Sequence, residues 1–167
     1  MAKKTPCNRS TGKKTSFTFP LLHPKVANDV IDHITTVVWV SRKTKREPNN
    51  TDFASVVGKF TCDNGACSNK TWTSGNVALQ IQGYPGGGYN AVVYNQRCRV
   101  CNRLGIFSLN EVTYVDRIAY RLKKWAGVAM ERRVYEKKAT PPHKKELCEG
   151  CKKGCCRAGL GNLNVLS

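Results

Sequence analysis

The sequence predicts an α+β domain, an antiparallel β-hairpin sheet with helices packed on it, and three observations carry that expectation. NVALQIQGY alternates apolar and polar residues and runs through the glycine-rich YPGGGYN into a second extended stretch, YNAVVYNQRC. SLNEVTYVDRIAYRLKKWAG has the spacing of an amphipathic helix, and nine cysteines gather mainly into closely spaced pairs.

Residues 1–16 are small, polar and basic and predict a flexible basic arm, with Cys7 alone in it. Residues 17–48 predict a helical segment packed on the core, because PKVANDVIDHITTVVW sets Val26, Val30, Ile34, Val37 and Val38 at helical spacing behind Pro24, which suits a first helical position. The β-branched residues crowd its second half, for which extended backbone is the alternative. His33 reads as a partly buried helix residue, since no cysteine accompanies it. SRKTKREPNN follows as a charged connector, in which RKTKR matches a nuclear localisation signal as well as a solvated loop.

The zone from 49 to 158 holds the chemistry. Val56, Val57 and Phe60 lead into Cys62. Val77, Leu79 and Ile81 then alternate with Ala78, Gln80 and Gln82, which is the period of a strand with one face buried. The turn at YPGGGYN reverses the chain, so CDNGAC and CRVC come to lie at the base of one hairpin. Antiparallel pairing there brings Cys62, Cys67, Cys98 and Cys101 together, and four thiolates satisfy a tetrahedral zinc ion with no open position. A redox pair would need a cysteine at a helix start in a βαβ setting, which the sequence lacks. In SLNEVTYVDRIAYRLKKWAG, Ser108 and Glu111 match a capping box, Val112, Val115, Ile118, Leu122 and Trp125 predict the buried stripe, and Gly127 predicts the stop. Arg117, Arg121 and Lys124 line another face. Finally, PPHKKELCEGCKKGCC offers His143, Cys148, Cys151 and either Cys155 or Cys156 as a second ligand set, ahead of a C-terminal tail at 159–167.

Composition narrows the function. A formal net charge of +17 attracts polyanions, nucleic acid first. Seven thiolates and two zinc ions would still leave roughly +14. MAKKTPCNRS is not a secretory start and no apolar run has the length of a transmembrane segment, so the expected location is cytoplasmic or, through RKTKR, nuclear. A reducing compartment makes nine cysteines better metal ligands than disulfide partners. Three glycosylation-type sequons are read as chance matches. No paired carboxylates, phosphate loop or activated nucleophile stand out, and the zinc-deaminase signature is missing, so no enzyme is expected.

GKFTC, CSNKTWTSGNVALQI, YNQRCRVC and PPHKKELCEGC together resemble the 3CxxC-type zinc-finger family, over roughly residues 50–157. The glycine-rich turn, AYRLKKWAG and a first pair spelled C-x₄-C are similar to its fungal branch. The resemblance implies a zinc-ribbon-like hairpin sheet with two structural Zn²⁺ sites. The first would be Cys62, Cys67, Cys98 and Cys101; the second would be His143, Cys148, Cys151 and Cys156, because the last cysteine follows Gly154 by two positions. It also implies RNA binding, as in zygote arrest fingers, with the adaptor or chaperone role of the receptor-transporting relatives as the alternative, a protein client replacing the nucleic acid. The candidate nucleic-acid contacts are Arg97, Arg99 and Arg103 beside the second knuckle, Lys152, Lys153 and Arg157 beside the last, Arg117 and Arg121 on the helix, and Tyr84 and Tyr89 as stacking residues.

Overall fold

The computed structural model describes residues 14–131 and 143–158. Most of the basic arm, with Cys7, and the C-terminal tail lie outside the described residues. The elements, in order, are β1 (Ser16–Phe17), a 3-10 turn, α1 (His23–Val30), β2 (Val38–Trp39), β3 (Asn50–Thr61), β4 (Thr71–Tyr84), β5 (Gly88–Tyr94), β6 (Ile106–Leu109), α2 (Glu111–Trp125), a second 3-10 turn and α3 (Glu149–Lys152). The sheet runs β1-β5-β4-β3-β6, and β2 adds to the outer edge of β5 in parallel.

The expected hairpin is β4 and β5, paired Leu79 to Val93 through Tyr84 to Gly88. Gly86 and Gly87 both take positive φ in its turn, where a residue with a Cβ would be strained. The sheet is larger than the hairpin. β3 pairs with β4 from Asn50–Gly83 to Thr61–Thr71, with a register shift between Val56 and Gly58. β6 then pairs with the far end of β3, and β1 joins β5 through Ser16–Tyr94 and Phe17–Val93. β3 is poorly visible in sequence because TDFASVVGKF mixes small and charged residues, and β6 because it has four residues.

One face of the sheet carries the core. Val77, Leu79, Ile81, Ala91 and Val93 pack with Val26, Val30, Tyr114, Ile118 and Leu122 of the two long helices. Period-2 alternation thus points every second strand residue into the helices, at roughly 1.5–3 kcal/mol for each large apolar side chain buried.

Three sequence expectations need correction. The first helix ends at Val30, and Val38–Trp39 is a strand, so the β-branched second half took the extended alternative; His33 lies in an exposed turn. The long helix is capped by Asn110, whose Oδ1 accepts from Thr113 N at 3.0 Å, because Ser108 is held in β6. Its buried stripe is Tyr114, Ile118 and Leu122, whereas Val112 is 80% exposed. Starting the helix after β6 fixes the rotation that puts Tyr114 inward. Gly127 does stop the helix, with φ +80° and the Val128 N–H bonded to Lys123 O.

Candidate metal centres

Each strand end near the sheet's lower rim delivers a cysteine. β3 ends at Thr61, so Cys62 follows it directly, with its N–H donating to Lys70 O. The Asp63–Ala66 turn then returns Cys67 toward the start of β4, held by Cys67 N–H to Asn64 O. Four residues beyond β5, Cys98 opens the other knuckle with Cys101, in which Cys98 N–H bonds Arg103 O and Asn102 takes φ 61°. Cys62 Sγ lies 3.5 Å from Cys101 Sγ, and Cys67 Sγ lies 3.7 Å from Cys98 Sγ. Four sulfurs around a zinc ion at about 2.3 Å stand roughly 3.8 Å from one another, so the cluster has tetrahedral dimensions.

Its electrostatics fit a dication. Burial and hydrogen bonds with its fellow thiols push Cys62 up to about 12, outweighing the Asn64 N–H, because thiolates held this close repel. Cys98 goes the other way, to about 6: burial raises it, but the N–H groups of Cys101 and Val100 and the Asn69 amide, 3.4 Å from Sγ, outweigh that. A positive ion at the centre favours the thiolate form of all four.

The second cluster is His143, Cys148, Cys151 and Cys156, all with ligand atoms within 4.8 Å of one another. His143 Nε2 lies 3.3 Å from Cys151 Sγ and 3.5 Å from Cys156 Sγ. Cys155 points elsewhere, its thiol donating to Lys153 O at 3.4 Å, so the sequence alternative between Cys155 and Cys156 resolves to Cys156. Cys148 caps α3, and its buried thiol is pushed strongly up, first by its hydrogen bond with Cys156 and then by burial. The cluster packs on the sheet face opposite the core, against Ala78, Val92 and Tyr94. A Cβ on Gly150 would lie 2.3 Å from Ala78 Cβ, so only glycine lets α3 come this close.

The two centres are joined by residues that sequence reasoning assigned elsewhere or overlooked. Arg97 N–H bonds Leu147 O, and Glu149 N–H bonds Asn95 O, which makes residues 147–149 a short extension of the sheet. Arg97 Nε lies 2.6 Å from Glu149 Oε1, and its Nη1 donates to Asn102 O in the Cys98–Cys101 knuckle of the first centre. Beneath this pair, the Asn95 amide donates to Lys14 O and Gly105 O, and Gln96 Nε2 donates to Ser74 Oγ at 3.0 Å while Oε1 accepts from Trp72 Nε1. The available signal was a run of polar residues, YNQR, ending an apolar strand just before a ligand.

The remaining predicted contacts divide. Arg99, Lys153 and Arg157 are exposed around the two clusters. Lys152 is partly exposed and pairs with Glu149, and Arg103 holds Asp63 through Nε at 3.1 Å. Arg117 and Arg121 brace α2 against β3, Arg117 Nε donating to Ser55 O and Arg121 Nε pairing with Asp52, so they serve the strand edge and Arg121 is largely covered. Tyr89 is fully buried with its hydroxyl 2.9 Å from His23 Nδ1, and offers no stacking face; the strand alternation puts it inward. Tyr84 is half-buried, with the Arg46 guanidinium 5.5 Å over its ring.

Comparison with known families gives one match: a family model for the 3CxxC zinc ribbon, described as a zinc-binding domain, covers residues 55–154. No curated protein and no solved structure matches the chain. With the two clusters inside or at the border of that match, the arrangement holds two structural zinc ions, one in a Cys₄ set and one in a His-Cys₃ set, neither with a ligand position to spare. Among the described residues no helix is long and apolar enough to cross a membrane.

Proposed function

The chain belongs to the 3CxxC zinc-ribbon family of zinc-binding domains, and on that premise we propose that it is a nucleic-acid-binding module, acting on RNA, and not an enzyme. The observation that carries this reading is the set of exposed cations around the two zinc clusters. Arg99 stands between two ligands of the first, while Lys153 and Arg157 flank Cys156 of the second. Asp63 and Glu149, acidic residues beside the ligands, are already countered by Arg103, Arg97 and Lys152. A field of this sign over a net charge of +17 favours phosphate. The zinc ions here act as rigid supports, since closed coordination leaves no place for a reacting water.

A salt titration on an unstructured RNA tests the reading. Affinity should fall as a power of salt concentration, with a slope of about 0.7 for each phosphate contact. Arg99→Ala combined with Lys153→Ala should lower both affinity and slope while zinc content stays at two ions, because neither residue is a ligand. Equal affinity and slope in this variant would remove the knuckle rims from the proposal.

A second reading, an adaptor for a protein client, has one observation in its favour. Between α1 and α2 lies an open groove of about 350 Å³ lined by Lys25, Asp29, Glu111, Val112, Val115 and Asp116. The exposed Val112 there is an apolar contact point. Absence of RNA binding even at low salt would make this the better reading.

A further inference from the structure

The sheet has a second face, and it differs from the core face in both chemistry and charge. Register places Phe53 beside Gln80 and Thr51 beside Gln82, and Gln82 in turn beside Asn90 of β5. All of these except Asn90 are partly or fully exposed, while their neighbours Ala54, Leu79 and Ile81 on the other face are buried. At one end the second zinc cluster covers Ala78 and Val92. On the β5 side the connector after β2 folds over the edge: Val40 O accepts from Asn90 Nδ2 at 2.7 Å, Arg46 lies over the Tyr84 ring, and Arg42 reaches Ser16 Oγ beside Tyr94. The result is a trough floored by strands and walled by zinc module and connector.

The floor is equipped for unpaired bases. Gln80 Oε1 accepts from Tyr94 Oη at 3.4 Å and Gln82 Oε1 from Tyr84 Oη at 3.5 Å, so both amides are oriented by tyrosines of the sheet. Among the described residues their Nε2 groups make no hydrogen bond, which leaves donors for the oxygen and ring-nitrogen acceptors of a base edge. Phe53, beside Gln80 in the register, supplies aromatic surface, whereas Tyr84, two residues beyond Gln82, carries the Arg46 guanidinium over its ring.

The floor carries no carboxylate of its own. The strand positions 51, 53, 55, 78, 80, 82, 84, 90, 92 and 94 include none, whereas Asp52, of the opposite parity, pairs with Arg121 of α2 on the helix side. The connector SRKTKREPN brings Arg42, Lys43, Lys45 and Arg46 against the single carboxylate of Glu47. Lys152 and Lys153 are exposed in the zinc module at the end of the floor.

We propose that this trough is where single-stranded RNA lies, its bases on Gln80, Gln82 and Phe53 and its phosphates along the connector and α3. The proposal rests on the RNA reading above and sharpens it: the knuckle rims become the end of a path whose floor is the open sheet. A duplex, with its bases paired and its edges in a groove, has little to offer such a floor.

The test is fluorescence anisotropy of a labelled twelve-nucleotide unstructured RNA and of its duplex, with full-length, zinc-loaded protein. Gln80→Glu combined with Gln82→Glu keeps side-chain shape, replaces the donors by acceptors and should weaken single-strand binding at least tenfold with two zinc ions retained. Lys123→Glu, on α2, makes the same change in net charge and should lose less than threefold. As a variant outside the strands, Arg42→Ala combined with Arg46→Ala should also weaken binding and reduce the salt slope by about 1.4, two contacts at about 0.7 each. If the knuckle variant Arg99→Ala, Lys153→Ala binds weakly while both trough variants match wild type, the trough is overturned and the RNA reading survives. Equal losses in Lys123→Glu and the glutamine pair, or duplex binding as tight as single strand, overturn the trough as well. No binding by wild type removes the RNA reading and the trough with it.

Discussion

The two zinc centres are built in opposite ways. The Cys₄ centre takes its ligands from positions 62 to 101, across three strands, and sits where β3, β4 and β5 converge. The His-Cys₃ centre takes all four from residues 143–156 and is laid onto a sheet face that other segments have already formed. The first therefore closes the fold, and the second docks a module on it. A long-range ligand set carries tertiary free energy directly, because binding is coupled to bringing the strands together. A local set organises a short loop with little apolar content of its own, and relies on Gly150 against Ala78 and on Arg97 with Glu149 for its place.

The largest expected difference is between ligand substitutions. Cys98→Ser should release the first zinc and unfold the sheet, a loss on the order of 10 kcal/mol of metal-linked folding energy, seen as collapse of the circular dichroism and of the thermal transition. Cys156→Ser should leave about one zinc ion per chain by elemental analysis and a cooperative sheet with a lower melting temperature. If Cys156→Ser unfolds the chain as fully as Cys98→Ser does, the contrast between a closing and a docking site is wrong.

The tie between the centres comes next. Glu149→Gln keeps the shape of a nearly buried side chain and removes the charge facing Arg97 and Lys152, so the docked module should loosen by roughly 2–3 kcal/mol. Chelator competition resolves this, with the second zinc leaving earlier while the first keeps its affinity. Equal weakening of both ions would mean that the pair braces the whole molecule. Gly150→Ala should be somewhat milder, roughly 1–3 kcal/mol from forcing α3 away from Ala78. Adding Ala78→Gly to it should recover second-site zinc affinity in part, an outcome that a mere helix-propensity effect would not give.

The smallest effect separates two neighbours. Cys155→Ser should change zinc content by nothing measurable and stability by less than about 0.5 kcal/mol, while Cys156→Ser next to it removes a ligand. Reversal of these two would exchange the ligand assignment and with it the geometry of the second centre.

Residue spacing alone went far. The ligands of the first centre followed from two knuckles at the base of a strongly alternating hairpin, because a period-2 strand and a glycine turn leave one way to fold that stretch. His143, Cys148 and Cys151 were equally plain, and a family motif chose Cys156 over Cys155. Composition also sets the net charge of +17. Tertiary structure decided the rest. Which residue starts α2 depended on β6 claiming Ser108, and that rotation put Tyr114 inside and Val112 out. Tyr89 and Tyr84 are five residues apart and both lie on the hairpin, yet one is core and the other borders the open face, since parity along a strand acquires meaning only when the helices choose a side. Arg97, Arg117 and Arg121 carry the same charge as Arg99, but carboxylates and carbonyls brought near by the fold hold them to the protein. A charge is written in sequence; its partner is set by packing.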